Sequence, residues 1–339
     1  MGLKIVKAGT TTGRAMEKSG QTAENLSLIA DIGGTNARFA VATADGKISK
    51  ARTLACADYR DPAHAAQSYL DTMGLPRPVQ ACFAFACPTH DDRIRMTNNG
   101  WDFSRARTKE QLGLQRLEII NDFMALALSL PHLPSDSLRQ VGGISQVGKL
   151  PIGVVGPGTG LGVSGLIPYK GDWIPLDAEG GHASLAVSGL RETAALHHLE
   201  QHYSRVSAER VLSGPGLKAL YQALGAIDGA GVLDLTPSEI VAKALAREDA
   251  LCGETLEIFC ALLGGFAGDF ALTLGARGGI YIGGGIVPRL GDFFARSDFR
   301  RRFEDKGRLS GYVTAIPCYV ITADYPGLAG AAAYLAGSQ

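Results

Sequence analysis

"LSLIADIGGTNARFAVAT", Leu26 to Thr43, decides the fold. Its first seven residues read as a strand. Gly33, Gly34 and Thr35 read as a turn, and "NARFAVAT" alternates as a return strand. The layout recurs from Pro151, where "PIGVVG" is a strand, "PGTG" a turn and "LGVSGLI" an alternating return strand. A duplicated strand–turn–strand unit predicts two similar α/β lobes. Outward from the first copy, "GKISKARTLA" predicts a third strand, Pro62 to Thr72 a helix and "VQACFAFACP" a buried strand. Ser104 stands in N-cap position before a further helix. The half after the second copy is richer in helix: Ser188 to Tyr203, Ser213 to Leu224, Pro237 to Ala246 and about Glu254 to Leu274 carry helical spacing. "GGIYIGGGIVPRL" predicts a buried strand, a glycine turn and a helix opening near Pro288. The tail predicts a strand and a helix that packs back onto the first lobe. The expected division is a flexible arm over 1–23, a small lobe over 24–132 plus 323–339, and a large lobe over 133–322.

The 339 residues are long enough for two cores. Basic and acidic residues balance at 33 each, which favours neither nucleic acid nor an anionic membrane as a partner. Six scattered cysteines in apolar contexts, with no C-x-x-C pair, read as reduced core residues of a cytoplasmic protein. The apolar run Ile258 to Gly268 is short of the roughly 20 residues that a membrane span needs, so it reads as a buried helix. The first 21 residues are mildly basic and lack an apolar signal core.

Glycine turns that carry threonine let a backbone approach a ligand closely and aim successive N–H groups at an anion. Two matched turns and a third glycine-rich strand end at Gly283–Gly285 point to a phosphate chain. Two other glycine patterns do not. "GISQVGKL" ends in leucine where a phosphate loop needs Ser or Thr, and "GLGVSG" falls on an alternating strand. "EIINDFMALALSL" sets Asn121 and Asp122 between a strand and a helix. Capping explains that placement, with Asp122 as cap, and a carboxylate at a strand end can also serve as a general base. Glu179 and His182 in "DAEGGHASL", with Glu209 in "VSAERVLSGPG", add carboxylates and an imidazole suited to sugar hydroxyls. Each has a plainer reading: Glu209 can begin a helix, and His182 can be a hydrogen-bonded core residue. His198 and His202 have metal-compatible spacing on a polar face, which reads as solvent-facing. Arg300, Arg301 and Arg302 read as a solvated charge run.

Seven segments in order resemble the motifs of bacterial-type glucokinase: "LIADIGGTNARFAV", "MTNNGWDFS", "LEIINDFMALAL", "GPGTGLGVSGLI", "AEGGHASL", "SAERVLSGPGL" and "GGIYIGGGIVPR". The resemblance runs from about Ala23 to the end of the chain. It implies the actin-like ATPase (ribonuclease-H-like) fold, with an interlobe cleft, and ATP:glucose 6-phosphotransfer with Mg2+ by a cytoplasmic homodimer. It implies Asp122 as the base for the glucose 6-hydroxyl, Asn121 on the 3- and 4-hydroxyls, and Glu179, His182 and Glu209 at the anomeric end. Asn98 is implied near the sugar. Asp31 is implied to orient hydrated magnesium. The segment Ala30, Asp31, Ile32, Gly33, Gly34, Thr35 and Asn36, together with Gly158, Thr159 and Gly160, is implied to bind the nucleotide's phosphates, with Gly283, Gly284 and Gly285 near the adenosine. The chain lacks the cysteine-rich zinc motif of the related ROK sugar kinases. A kinase for another hexose or amino sugar is the nearest alternative. A sugar-sensing regulator on the same fold is a second, but the stretch before Leu26 is too short and too polar for a DNA-binding helix-turn-helix. Glycoside hydrolysis by Glu179 and Glu209 leaves the phosphate-type turns unexplained.

Overall fold

The structure, a computed structural model, describes residues 26–96 and 99–337. The expected arm over 1–23 and Asn98 lie outside the described residues. The chain divides into two compact units, Met1–Ser135 with Ala323–Gln339, and Asp136–Thr322.

The first unit opens with β1 (Leu26–Ile32), β2 (Asn36–Thr43) and β3 (Ile48–Ala55). Then come α1 (Pro62–Thr72), β4 (Gln80–Phe85), β5 (Arg93–Arg95), β6 (Asp102–Ser104), α2 (Arg105–Gln111), β7 (Arg116–Asn121) and α3 (Asp122–Ser129). β1 and β2 start and stop where alternation and the glycine turn place them. α2 is capped by Ser104, whose hydroxyl accepts from Arg107 N at 3.2 Å. The five-stranded sheet runs β3-β2-β1-β4-β7, the first three antiparallel and the last two parallel to β1.

Successive side chains on a strand point to opposite faces. Phe39, Phe83 and Phe85 pack with Tyr69 of α1 on one face; Phe39 stacks on Tyr69 at 5.6 Å. The other face carries smaller residues, Ala40, Ala42, Cys82 and Ala84 beside Ile29 and Ile120, and takes α3 and the C-terminal helix. Asp31 and Arg38, paired across β1 and β2, lie on this second face by alternation.

The second unit contains β8 (Leu138–Gln140), β9 (Ile152–Pro157), β10 (Leu161–Tyr169), β11 (Asp172–Leu176), α4 (Leu190–Glu200), α5 (Gly214–Ile227), α6 (Pro237–Ala246) and α7 (Ala250–Leu274). It continues through β12 (Gly279–Ile282), α8 (Val287–Leu290), α9 (Asp292–Arg296), α10 (Phe299–Glu304), α11 (Ser310–Thr314) and β13 (Cys318–Ile321). α12 (Pro326–Gly337) returns to the first unit, against α3 and β1. The second sheet runs β11-β10-β9-β12-β13-β8. Its first five strands repeat the pattern of the first unit: three antiparallel, then two parallel to the leading strand. β8 is an added antiparallel edge. The inferred duplication is therefore topological as well as sequential. "GLGVSG" lies on β10, as read.

α7 has the length and hydropathy of a bilayer-crossing helix, but 61% of its most apolar window is buried inside the protein. It packs against α5, α6 and α10 as the core helix of its unit. All six cysteines are buried free thiols. The expected charge run is corrected. Arg302 is 9% exposed and grips Glu192 with two hydrogen bonds, 2.6 and 3.1 Å. Arg300 donates to Glu304, Ile316 O and Thr314 O. Only Arg301, paired with Asp298, sits largely in solvent.

Candidate active site

At the C-terminal end of β7 the chain turns into α3. Asn121, not Asp122, is the cap: its Oδ1 accepts from Phe123 N at 2.8 Å and Met124 N at 3.2 Å. Asp122 is the first helical residue, and its Oδ1 accepts from Phe123 N at 2.9 Å. Its carboxylate thus sits at a helix N-terminus, which favours negative charge. Capping uses the oxygen of Asn121 and leaves its amide nitrogen as the donor it can offer a ligand.

The β1–β2 turn is closed by Gly33 N donating to Asn36 O at 3.0 Å. Cys56, at the end of β3, pins it: Cys56 N donates to Thr35 O at 2.8 Å and its thiol approaches Gly33 O at 3.5 Å. The Gly33 N–H is therefore committed, and Gly34 and Thr35 are the donors the turn can aim outward. The side chains of Ala30 and Ile32 are core, at 0% exposure. Asp31 lies beside Arg38, with Nη1 to Oδ2 at 3.6 Å. Burial pushes the Asp31 carboxyl above its ordinary 3.8, and the Arg38 guanidinium opposes that shift. Gly327, in the first turn of α12, makes room for it. A Cβ there would lie 2.9 Å from Asp31 Cγ.

In the second unit the β9–β10 turn is closed by Gly158 N donating to Gly160 O at 2.8 Å. The start of α5 and the end of β12 converge on it. Gly214, at the start of α5, donates its N–H to Gly158 O at 2.8 Å. After β12, Gly283 N donates to Val155 O at 2.8 Å, and Gly285 lies beside Gly158. The structure thus brings Gly158–Gly160 and Gly283–Gly285 together.

Glu209 is seated on the same turn: its Oε2 accepts from Leu161 N at 2.9 Å. A side chain at 160 would overlap that oxygen, so Gly160 is what admits it. His182 lies 3.9 Å from Glu209 and 4.0 Å from Glu179. The two segments are joined by backbone: Ala208 N donates to Ala183 O at 2.8 Å, and Ser184 bridges Ser207. Glu179, His182 and Glu209 are thus one partly exposed cluster of two carboxylates and an imidazole, able to accept from and donate to hydroxyls.

Sequence reading missed three contributors: Cys56, Gly327 and Arg38. For Arg38 a signal was available. A hairpin turned at Gly33–Thr35 puts Arg38 opposite Asp31 by register alone. His198 and His202, singled out for spacing, pack ring to ring at 5.2 Å.

A family model for glucokinase matches residues 28–338. The chain belongs to the glucokinase family. The glucokinase of Aromatoleum aromaticum is 53% identical over 310 residues, covering 91% of this chain and 94% of its own. That of Chromobacterium violaceum is 52% identical, covering 91% and 89%. Among solved structures, the glucokinase of an Antarctic psychrotroph superposes with a TM-score of 0.84 at 38% identity, covering 92% of this chain and 99% of that one. The fold of this glucokinase-family chain is accordingly the mixed α/β actin-like ATPase fold, and the repeated strand order of its two sheets is the physical content of that likeness.

Proposed function

We propose that Asp122 is the general base with which this member of the glucokinase family transfers the γ-phosphoryl group of ATP to the 6-hydroxyl of glucose. The chain is an ATP-dependent glucose kinase. The observation that supports the assignment is local: Asp122 directly follows a buried strand, opens a helix, and is set there by the Asn121 cap. An alcohol must lose its proton as the new P–O bond forms, and a fixed carboxylate within reach supplies the acceptor. The amide nitrogen of Asn121 donates to neighbouring sugar hydroxyls. Glu179, His182 and Glu209 hold the hydroxyls at the anomeric end. Gly34, Thr35, Thr159 and Gly160 offer backbone donors to the phosphates, and Gly283–Gly285 lies at the adenosine end.

Phosphoryl transfer asks mainly for positioning and charge neutralisation. The residues present fit a magnesium ion. That ion keeps most of its water and needs one or two carboxylates besides the substrate's phosphates. Asp31 is such a carboxylate, desolvated and with the Arg38 guanidinium at 3.6 Å. Asp31 would hold the ion through its water shell, and the ion would supply charge neutralisation at the phosphates. The reading extends to a homodimer and a cytoplasmic location. Six buried free thiols suit a reducing compartment.

Asp122→Ala tests the base. It lowers kcat by ~10²–10⁴ while calorimetry still detects glucose binding. Near-normal turnover in a coupled assay removes Asp122 from that role.

A further inference from the structure

The second unit has a small cavity, about 260 Å³, lined by none of the residues assigned to sugar or nucleotide. His198, His202, Tyr203 and Gln222 lie along it. The two histidines stand at the end of α4, and Gln222 stands on α5, which packs against α4. Helical winding continues past Glu200: Gln201 N donates to His198 O at 3.3 Å, and His202 N and Tyr203 N donate to Leu199 O, each at 3.0 Å. Residues four apart on a helix share a face, so this bonding keeps both imidazoles on the cavity side. Their rings meet edge to face with centroids 5.2 Å apart. Among the described residues neither imidazole makes a hydrogen bond or ion pair, whereas the adjacent His197 faces Glu200 at 3.9 Å. The ring nitrogens of His198 and His202 are therefore unspent.

We propose that His198 and His202 form a zinc site, with one nitrogen of each imidazole as a ligand, the Gln222 amide oxygen as a third, and water completing the set. The ring separation carries this. With ~2.1 Å from metal to nitrogen and ~1.2 Å from nitrogen to ring centre, a tetrahedral angle sets two ligating rings ~5.2 Å apart. A square-planar angle brings them to ~4.5 Å. The observed 5.2 Å is the tetrahedral value, the geometry that zinc adopts with nitrogen ligands. Rotation about the side-chain bonds is then enough to aim both nitrogens at one point. Among the described residues no three His, Cys, Asp or Glu side chains converge as a metal-holding group, so the site is open, built from two imidazoles and an amide. An ion held from α4 and α5 at once ties the two helices together, and it stabilises the folded chain by mass action. The inference uses none of the residues of the kinase reading and stands apart from it.

Calorimetry of the chelator-treated full chain with zinc chloride tests the site. The parent takes up Zn2+ and its Tm rises with Zn2+ concentration. Co2+ in its place gives the intense visible absorption of a tetrahedral site. His198→Ala and His202→Ala each weaken Zn2+ binding by more than about tenfold, and Gln222→Leu weakens it less than either. His197→Ala leaves the affinity within about threefold, because residue 197 does not share the face of 198 and 202. His202 is exposed, so its variant carries the test if the His198 variant does not fold. The proposal is overturned if the double variant His198→Ala/His202→Ala keeps its Zn2+ affinity within about threefold of the parent. It is also overturned if His197→Ala costs as much as His198→Ala, the mark of loose binding to surface histidines.

Discussion

Replacing Gly160 by alanine probes the seat of Glu209. The new methyl overlaps Glu209 Oε2, so the carboxylate must leave Leu161 N, from which it now accepts at 2.9 Å. A hydrogen bond to a charged group contributes about 1.5–3 kcal/mol. The Glu209 side chain is 34% exposed, so water recovers part of this and the lower end applies, about 1.5–2 kcal/mol. That loss is one of stability; the displaced carboxylate also loses its place against the glucose hydroxyls, and losing one such contact of ~1.4 kcal/mol raises the KM for glucose about tenfold. The KM for ATP should change less than threefold. Glu209→Gln keeps the shape and weakens the same bond. Because both changes act through one contact, the double variant should cost little more than the worse single one. Steady-state kinetics on the four proteins, with melting curves to exclude unfolding, reads the cycle. A glucose KM within twofold of the parent for Gly160→Ala would refute the reasoning. Strict additivity in the double variant would refute it as well.

Asp31→Asn should raise thermal stability at neutral pH while abolishing activity. The folded pKa of Asp31 lies above its ordinary 3.8, so the fold disfavours the ionised form. That cost is absent below pH 3.8, grows through the window up to the folded pKa, and is full above it. The Tm gap between variant and parent should therefore widen as pH rises from about 3.5 to about 7, and a pH-independent gap would count against the assignment. Arg302→Met strands the Glu192 carboxylate, whose side chain is 8% exposed, and should destabilise by about 3–5 kcal/mol in denaturant titration. A loss below 1 kcal/mol would mean the pair is dispensable (compare ~3–5 for buried pairs). A panel of hexoses with ATP and magnesium, read by ADP release, should place glucose among the best acceptors. A clear preference for mannose, fructose or an amino sugar would transfer the substrate assignment.

Local structure was legible because its causes are local. Alternation over Leu26–Ile32 and Asn36–Thr43, and the Pro62–Thr72 helix, were readable to the residue. Ser104 and Ser213 cap helices by bonds that span three residues. Cap choice at the site was less legible. Asn121 and Asp122 are both good caps, and the sheet decides which residue ends β7 and so which side chain reaches back to Phe123 and Met124.

The sequence by itself determined the duplicated hairpins, the main strands and helices around them, and the residue types at the site, while the short strands β5, β6, β8 and β11 went unread. Periodicity, turn chemistry and capping act over a few residues, and a chain cannot hide them. The tertiary structure alone decided which charges are in water and which glycines are indispensable. Arg302 is buried because Glu192, 110 residues away, meets it. Gly160 matters because Glu209 arrives from 49 positions on to take the Leu161 N–H (a ~1.5–3 kcal/mol contact). Gly327 matters because α12 returns to lie against Asp31. Such contacts depend on where distant segments land, and their energies come from desolvation and packing that no local pattern encodes.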